Sequence, residues 1–258
     1  MIYLDNHATT AVHPEVVEAM TPFLTEHFHN PSSGYRASRI VKNAITEARG
    51  QLAELIGAKE EEDIFTGCGT ESNNMVLKSL ARIYGRKTSR VITGEIEHSA
   101  VLRPCQAMED VGFEVHRCGV DGEGRLRLDE FREACEGAET GFSSIMWANN
   151  ETGVIQPVGE ACEIAKENGI AFHTDAIQAV GKTAVNVREV PVDFLSISGH
   201  KFHAPKGIGA LYLREGIRFE PLIRGGGQEF GHRSGTENVA YIVGLGKAAA
   251  LMKAALEK

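Results

Sequence analysis

Short apolar runs rich in β-branched and aromatic residues alternate along this chain with longer stretches whose apolar positions recur every three or four residues. The short runs predict strands over 64–66, 90–93, 113–116, 143–147, 171–174, 194–198 and 210–213. The longer stretches predict helices over 15–28, 39–56, 71–84, 99–110, 128–136 and 158–168, and from 238 to the end. No internal repeat, low-complexity tract or Pro/Ser-rich linker interrupts them. Strands and helices in alternation are the signature of an α/β fold. In such folds ligands collect beyond the carboxyl ends of the strands, so the residues just after each strand are read for chemistry.

Composition narrows the partners. The chain has 258 residues, 42% hydrophobic and 24% charged, enough for a sizeable core in one large domain or two small ones. Its formal net charge of -8 opposes binding to nucleic acid or an anionic membrane through bulk electrostatics, which leaves a small molecule as the expected ligand. The opening MIYLDNHATT lacks a basic start and a long apolar stretch, and no later segment is an uninterrupted apolar run of about eighteen residues. A cytoplasmic location is expected. The five cysteines, at 68, 105, 118, 135 and 162, are odd in number and form no CxxC pair, so neither a disulfide framework nor a metal site is expected. Most read as small buried hydrophobes.

The strand at 64–66 runs into TGCGTESNN, a glycine turn that leads into a helix, where free backbone N–H groups and the hydroxyl of Thr70 could hold a phosphate. The spacing Gly67-x-Gly69-x-x-Ser72 lacks the third glycine of a dinucleotide fingerprint. A tight turn that merely starts a helix, with Thr70 as its cap, is the plainer reading of the same residues. GEIEHSAV after 90–93 puts His98 at a helix start, and ANNETGVIQP after 143–147 puts two amides at a strand end; each suits a structural role as well as a functional one. HTDAIQAVGKT places Asp175 and Gln178 after the strand at 171–174. Its GKT is not a Walker A loop, because position 176, five residues before Gly181, is alanine.

The strand at 194–198 is followed by Lys201 in SISGHKFHAPKGIG. A lysine after one strand, an aspartate after another and a phosphate cradle at a helix start are the fixtures that pyridoxal 5'-phosphate requires. Lys201 would bond the cofactor covalently, Asp175 would keep the pyridine nitrogen protonated so that the ring can accept electrons, and the Gly69–Thr70 turn would hold the phosphate. A solvated loop lysine is the commoner fate of a single lysine, but that reading leaves Ser198 and His200 beside it without a purpose.

The motifs YLDNHATT, NPSS, TESNN, EHSAV, NNETGVIQP, HTDAIQ, SGHKFHAPKGIGALY and GGGQEFGHRSGTEN occur in the order and at the spacing of a known family. In them the chain resembles the cysteine desulfurases, within the class V, fold-type I aminotransferases. The resemblance implies the major domain of a pyridoxal-phosphate transferase: a mostly parallel seven-stranded sheet flanked by helices, with 1–14 as an N-terminal segment and 15–258 as the cofactor-binding domain. It implies that Thr70, Asn150, Gln178, Ser198 and His200 contact the cofactor, that Lys201 carries it and that His98 stacks on its ring. It also implies that Thr236 reaches the phosphate in the partner subunit of a homodimer. The reaction implied converts L-cysteine to L-alanine, with Lys201, His98 and Asp175 as the catalytic residues. The sulfur passes to an enzyme cysteine and on to an acceptor such as an iron–sulfur scaffold.

Members of that family continue into a smaller C-terminal domain that carries the nucleophilic cysteine and a carboxylate-binding arginine. This sequence stops at KAAALMKAALEK, and none of its cysteines matches that loop. The implied expectation is a chain that lacks the small domain and binds the cofactor without turning over. Its last helix, with Val239, Ile242, Val243, Leu245 and Leu251 at helical spacing, is expected to pack partly against that domain. A selenocysteine lyase or another class V lyase or aminotransferase would use the same Lys201, Asp175 and His98, and a non-catalytic cofactor-binding fragment is the alternative outside the enzymes.

Overall fold

The computed structural model describes residues 2–85 and 89–258. Seven strands form one sheet: β1 Asp63–Thr66, β2 Ser89–Gly94, β3 Glu114–Cys118, β4 Thr140–Ser144, β5 Ala171–Asp175, β6 Phe194–Ser198 and β7 Gly209–Leu213. Their order across the sheet is β1-β7-β6-β5-β4-β2-β3. β7 runs antiparallel to both its neighbours, and every other pairing is parallel. The expected seven strands and mostly parallel sheet are therefore both present.

Alternation of side chains along each strand builds two cores. Ile64, Val91, Phe142, Phe194 and Leu211 face one side, where helices α4 (Gly69–Tyr84) and α5 (Ser99–Glu109) cover them. Phe65, Ile92, Ile145, Phe172, Leu195 and Tyr212 face the other, under α3 (Arg36–Ile56), α6 (Leu128–Glu136), α7 (Val158–Glu167) and α8 (Val239–Leu256). Strands covered on both faces carry apolar or small residues at nearly every position, which is why they read as continuous runs rather than as an alternation. β3, at the sheet edge, exposes Glu114, His116 and Arg117, polar and charged side chains that discourage pairing with another chain.

Three predicted boundaries shift for physical reasons. The helix expected over 15–28 is two, α1 (Pro14–Met20) and α2 (Pro22–Thr25), because Pro22 has no N–H with which to continue the first. The strand expected over 143–147 is β4, three residues earlier at both ends. Ile145 and Trp147 still donate single hydrogen bonds to His173 and Asp175, but the ladder has ended. α4 begins at Gly69, capped by an extended Cys68, so Thr70 lies in its first turn and is not its cap.

α8 is apolar around its circumference, and its 18 residues have a mean hydropathy of 1.5. It packs along α3. Ile242 and Leu245 are buried in this chain's own core, and Val239 and Leu251 pack against it, while Val243 is half-buried. Lys247 and Lys253 reach over to Glu15 and Glu54, each at 2.8 Å. Where α8 crosses α3, a Cβ on Gly246 would overlap the backbone and side chain of Ala48.

That close approach decides the sign of a substitution. In a free helix Gly→Ala stabilises by about 1 kcal/mol. At Gly246 the added methyl forces α3 and α8 apart, and overpacking of this kind costs about 1–3 kcal/mol. Gly246→Ala is expected to lower stability by about 1 kcal/mol net, read as a lower urea midpoint. A higher midpoint would mean that the helices separate freely.

Candidate active site

The carboxyl ends of five strands open into one cavity of about 520 Å³, a volume usual for a small-molecule site. Gly69 and Thr70 enter it after β1, His98 after β2, Asn150 after β4, Asp175 and Gln178 from the end of β5, and Ser198, His200 and Lys201 from β6. The fold thus brings nine of the ten sequence-predicted site residues together. Thr236 is not among them: it is exposed and lines a separate cavity with Gly67, Arg233 and Asn238.

Asp175 is buried in the cavity wall, 4% exposed. Its Oδ2 accepts from Asn73 Nδ2 at 2.7 Å and its Oδ1 from the Ile177 amide at 3.1 Å. Burial pushes its carboxyl above the ordinary carboxylate range, against the pull of those two donors and of the neighbouring His98 and Lys201. A carboxylate in this state is a prepared partner for a cation that enters the cavity.

Lys201 follows β6 in a single 3-10 turn, Gly199–Lys201. Its Nζ donates to the carbonyls of His7 and Ala8, at 2.6 and 2.9 Å, so the N-terminal segment forms one wall of the site. Burial lowers its pKa from the usual lysine value, while Asp175 and Asp5 hold it up. Beside it, burial and then the charges of Lys201, Lys206 and Lys182 lower the pKa of His200, whose Nδ1 pairs with Thr9 Oγ1 at 3.0 Å.

His98 is the N-cap of α5: its Nδ1 accepts from the Ala100 amide at 3.1 Å, so the neutral ring carries its proton on Nε2. Gln178 donates through Nε2 to the His7 carbonyl at 3.0 Å and accepts from Lys182. Asn150 donates to Glu151 Oε1 at 2.7 Å. At the start of α4, the first-turn amides have no intrahelical acceptor and stand at the cavity wall, a natural seat for an anion. The helix can begin there because position 69 has no side chain: a Cβ would overlap Ile177 and press on Ser198.

A lysine of lowered basicity, a deep buried carboxylate and a helix start form the donor set that suits pyridoxal phosphate, and the cavity is large enough to take it. Sequence reasoning missed Asn73, which holds Asp175, and Asp5, His7 and Ala8, which line the wall. It also missed Glu97, a buried carboxyl whose Oε1 accepts from the Met146 amide at 2.7 Å and so ties the segment before His98 to the one after β4. Burial pushes Glu97 well above the ordinary carboxylate range. The cysteine expectation holds for four residues: Cys105, Cys118, Cys135 and Cys162 are buried, and burial pushes the first three thiols to about 12 and Cys162 to about 11. Cys68 is half-buried and lines the cavity.

Residues 2–258 match the family described as aminotransferase class-V. A cysteine desulfurase, IscS, from Dictyoglomus turgidum is 51% identical over 257 residues, covering 100% of this chain and 65% of the relative. Another from Methanosarcina thermophila is 51% identical, with 63% of its length covered. The chain therefore spans just under two-thirds of the length of these relatives. Among solved structures, a NifS-like protein superposes with a TM-score of 0.96 at 40% identity, over 99% of this chain and 70% of the other. A structure titled SspA in complex with cysteine gives 0.92 at 39% identity, over 96% and 72%.

Beneath the cavity, two residues before Asp175, His173 bridges the sheet: Nδ1 meets Ser144 Oγ at 2.8 Å and Nε2 meets Ser196 Oγ at 2.9 Å. Complete burial lowers its pKa to about 3. The folded state holds it neutral, whereas the unfolded chain takes up a proton near pH 6.5, so its stabilising contribution is full above that value and is lost as pH falls toward 3. Between pH 7 and pH 5 this amounts to about 2 kcal/mol. Urea unfolding at both pH values is expected to show a pH-dependent loss smaller by about that amount in His173→Gln; an equal loss would place the ring's titration elsewhere.

Proposed function

This chain belongs to the class-V aminotransferase family, and we propose that it is the cofactor-binding part of a cysteine desulfurase. In this reading pyridoxal 5'-phosphate occupies the 520 Å³ cavity, L-cysteine is the substrate and L-alanine the product. The sulfur leaves on a protein thiol for iron–sulfur cluster or thio-cofactor assembly. The protein acts in the cytoplasm as a homodimer, in which Thr236 of each copy serves the phosphate of the other. Residues 15–258 form the cofactor-binding domain and 1–14 a flanking segment. The observation that carries the reading is the convergence of Lys201, Asp175, His98 and the start of α4 on one cavity from four different strand ends. The likeness to cysteine desulfurases and to a protein solved with cysteine supports the choice of substrate.

When bound, the cofactor supplies an electron-poor ring that takes up the electron pair left when an amino acid loses its α-proton. Asp175 holds the ring nitrogen's proton by ion pairing, and the burial that disfavours its lone charge strengthens that attraction. Lys201 Nζ, of lowered basicity, attaches the cofactor and then takes and returns the α-proton. His98 would stack on the ring with its Nε2 proton available for transfer, its other nitrogen being fixed by Ala100. The first turn of α4, with Thr70, would hold the phosphate, and Ser198 and His200 would contact the cofactor. Asn150 and Gln178 orient the ring, and Gln178 exchanges a present partner to do so. Cys105, Cys118, Cys135 and Cys162 are buried as protonated thiols and are not assigned as sulfur acceptors.

Borohydride reduction of the cofactor-loaded protein followed by peptide mapping is expected to place the pyridoxyl label on Lys201. A label on Lys182 or Lys206 sinks the assignment. Exchange of the L-cysteine α-hydrogen with deuterated solvent, followed by NMR, tests the chemistry without requiring sulfur transfer. Lys201→Ala is expected to slow it by about 10²–10⁴-fold. Asp175→Asn, which keeps the shape and loses the charge, is expected to retain the cofactor while exchange falls by at least about a hundredfold. Exchange at the wild-type rate in Asp175→Asn would give the ring nitrogen to another residue.

A further inference from the structure

Residues 223–238, which join β7 to α8, lie outside the main cavity yet are firmly built. The Ser234 amide donates to the Ile223 carbonyl at 3.2 Å, its hydroxyl accepts from the Gly227 amide at 3.3 Å, and Gln228 Oε1 accepts from the Gly235 amide at 2.9 Å. Glu229 and Phe230 adopt positive φ, 48° and 57°, a conformation that side chains other than glycine rarely take and that the surroundings must enforce. The enforcing contacts are on α3 and β1. Arg49 donates to both carboxylate oxygens of Glu229, at 2.9 and 2.8 Å, the Phe65 amide adds a third bond at 2.8 Å, and the guanidinium lies over the rings of Phe65 and Phe230.

A second anchor lies five residues before the end of this strap, in the side chain of Arg233. Its Nε and Nη2 donate to the two oxygens of Glu71, at 2.8 and 3.4 Å, in the forked geometry that only arginine offers a carboxylate. Glu71 Oε2 also accepts from the Gly67 amide at 2.8 Å. One carboxylate thus closes the turn into α4 on one side and holds the strap on the other. Only Ser234 and Gly235 separate Arg233 from Thr236.

We propose that Arg233 is a positioning residue for cofactor binding: its fork on Glu71 fixes Thr236 relative to the start of α4, so that the chain's two phosphate-binding elements are held at a set separation. The inference rests on the reading of Thr236 given above. In a homodimer it means that the cradle of one site and the reach into the other are braced by the same carboxylate. Arg233 can be tested apart from the turn, because Glu71 keeps its bond to Gly67 when the arginine is replaced.

The test is a spectroscopic titration of the purified protein with pyridoxal 5'-phosphate, alongside melting of the cofactor-free protein. Arg233→Gln is expected to weaken cofactor binding about five- to tenfold, with a cofactor-free melting midpoint within about 3 °C of wild type. Arg233→Lys, which keeps the charge without the fork, is expected to fall between the two. Because Arg233 acts through Thr236, the double variant Arg233→Gln/Thr236→Ala is expected to bind no more weakly than Thr236→Ala alone. Losses that multiply in the double variant, unchanged affinity in Arg233→Gln, or a loss matched by a large drop in its melting midpoint overturn the inference. Unchanged affinity in Thr236→Ala removes the reading of Thr236 itself, and the inference with it.

Discussion

A carboxyl group sits almost out of water at the end of the central strand β5, and the surrounding architecture is arranged to keep it usable. Asp175 pays a desolvation penalty that two amide donors offset only in part. The site is therefore an electrostatic well whose natural occupant is cationic. Placing it there depends on β5 being central: β4 and β6 cover its edges, α4 lies on one face of the sheet and α7 on the other. Asn73 can reach Asp175 only because α4 starts close against the end of β6, which the missing side chain at position 69 permits.

Lys201 and Asp175 answer each other. Each is buried enough to disfavour its own charge, and each favours the other's. Such a pair leaves the amine readier to lose its proton than a surface lysine while keeping a counter-charge within the same cavity. The carbonyls of His7 and Ala8 hold the amine in place, so the first residues of the chain act as part of the site rather than as a tail. The thiols follow the opposite rule. Four sit in helices and one strand without a cation strong enough to offset burial, and they stay protonated.

What was legible in the sequence follows from which contacts are local. Strands buried on both faces announce themselves as apolar runs, and residues just past them are where ligands gather, so Lys201, Asp175, His98 and Thr70 could be read directly. The helix over 15–28 was misread because its apolar period continues through Pro22, whose effect on the backbone hydrogen bonds is what divides it. Asn73, Glu97 and His173 were not legible. Each looks like an ordinary polar residue in its own segment, and each matters through a partner at least 23 positions away: Asp175 for Asn73, Met146 for Glu97, Ser144 and Ser196 for His173. Thr236 could be named only from a motif, whose resemblance gives it to a partner subunit's phosphate, and it lines a cavity apart from the main one.

The two carboxylates that organise the strap are unequal in kind. Glu229 is sealed against Arg49, where removing one partner strands a buried charge, so that pair behaves as a structural lock. Glu71 and Arg233 keep some contact with solvent, 16% and 24% of their side chains, so their pairing is weaker and can be broken without unfolding its surroundings. A lock deep in the core and a lighter tie at the helix start give the strap a fixed root and an adjustable tip. Thr236 stands at that tip, which is where small changes in position would be felt at a phosphate rather than in the core.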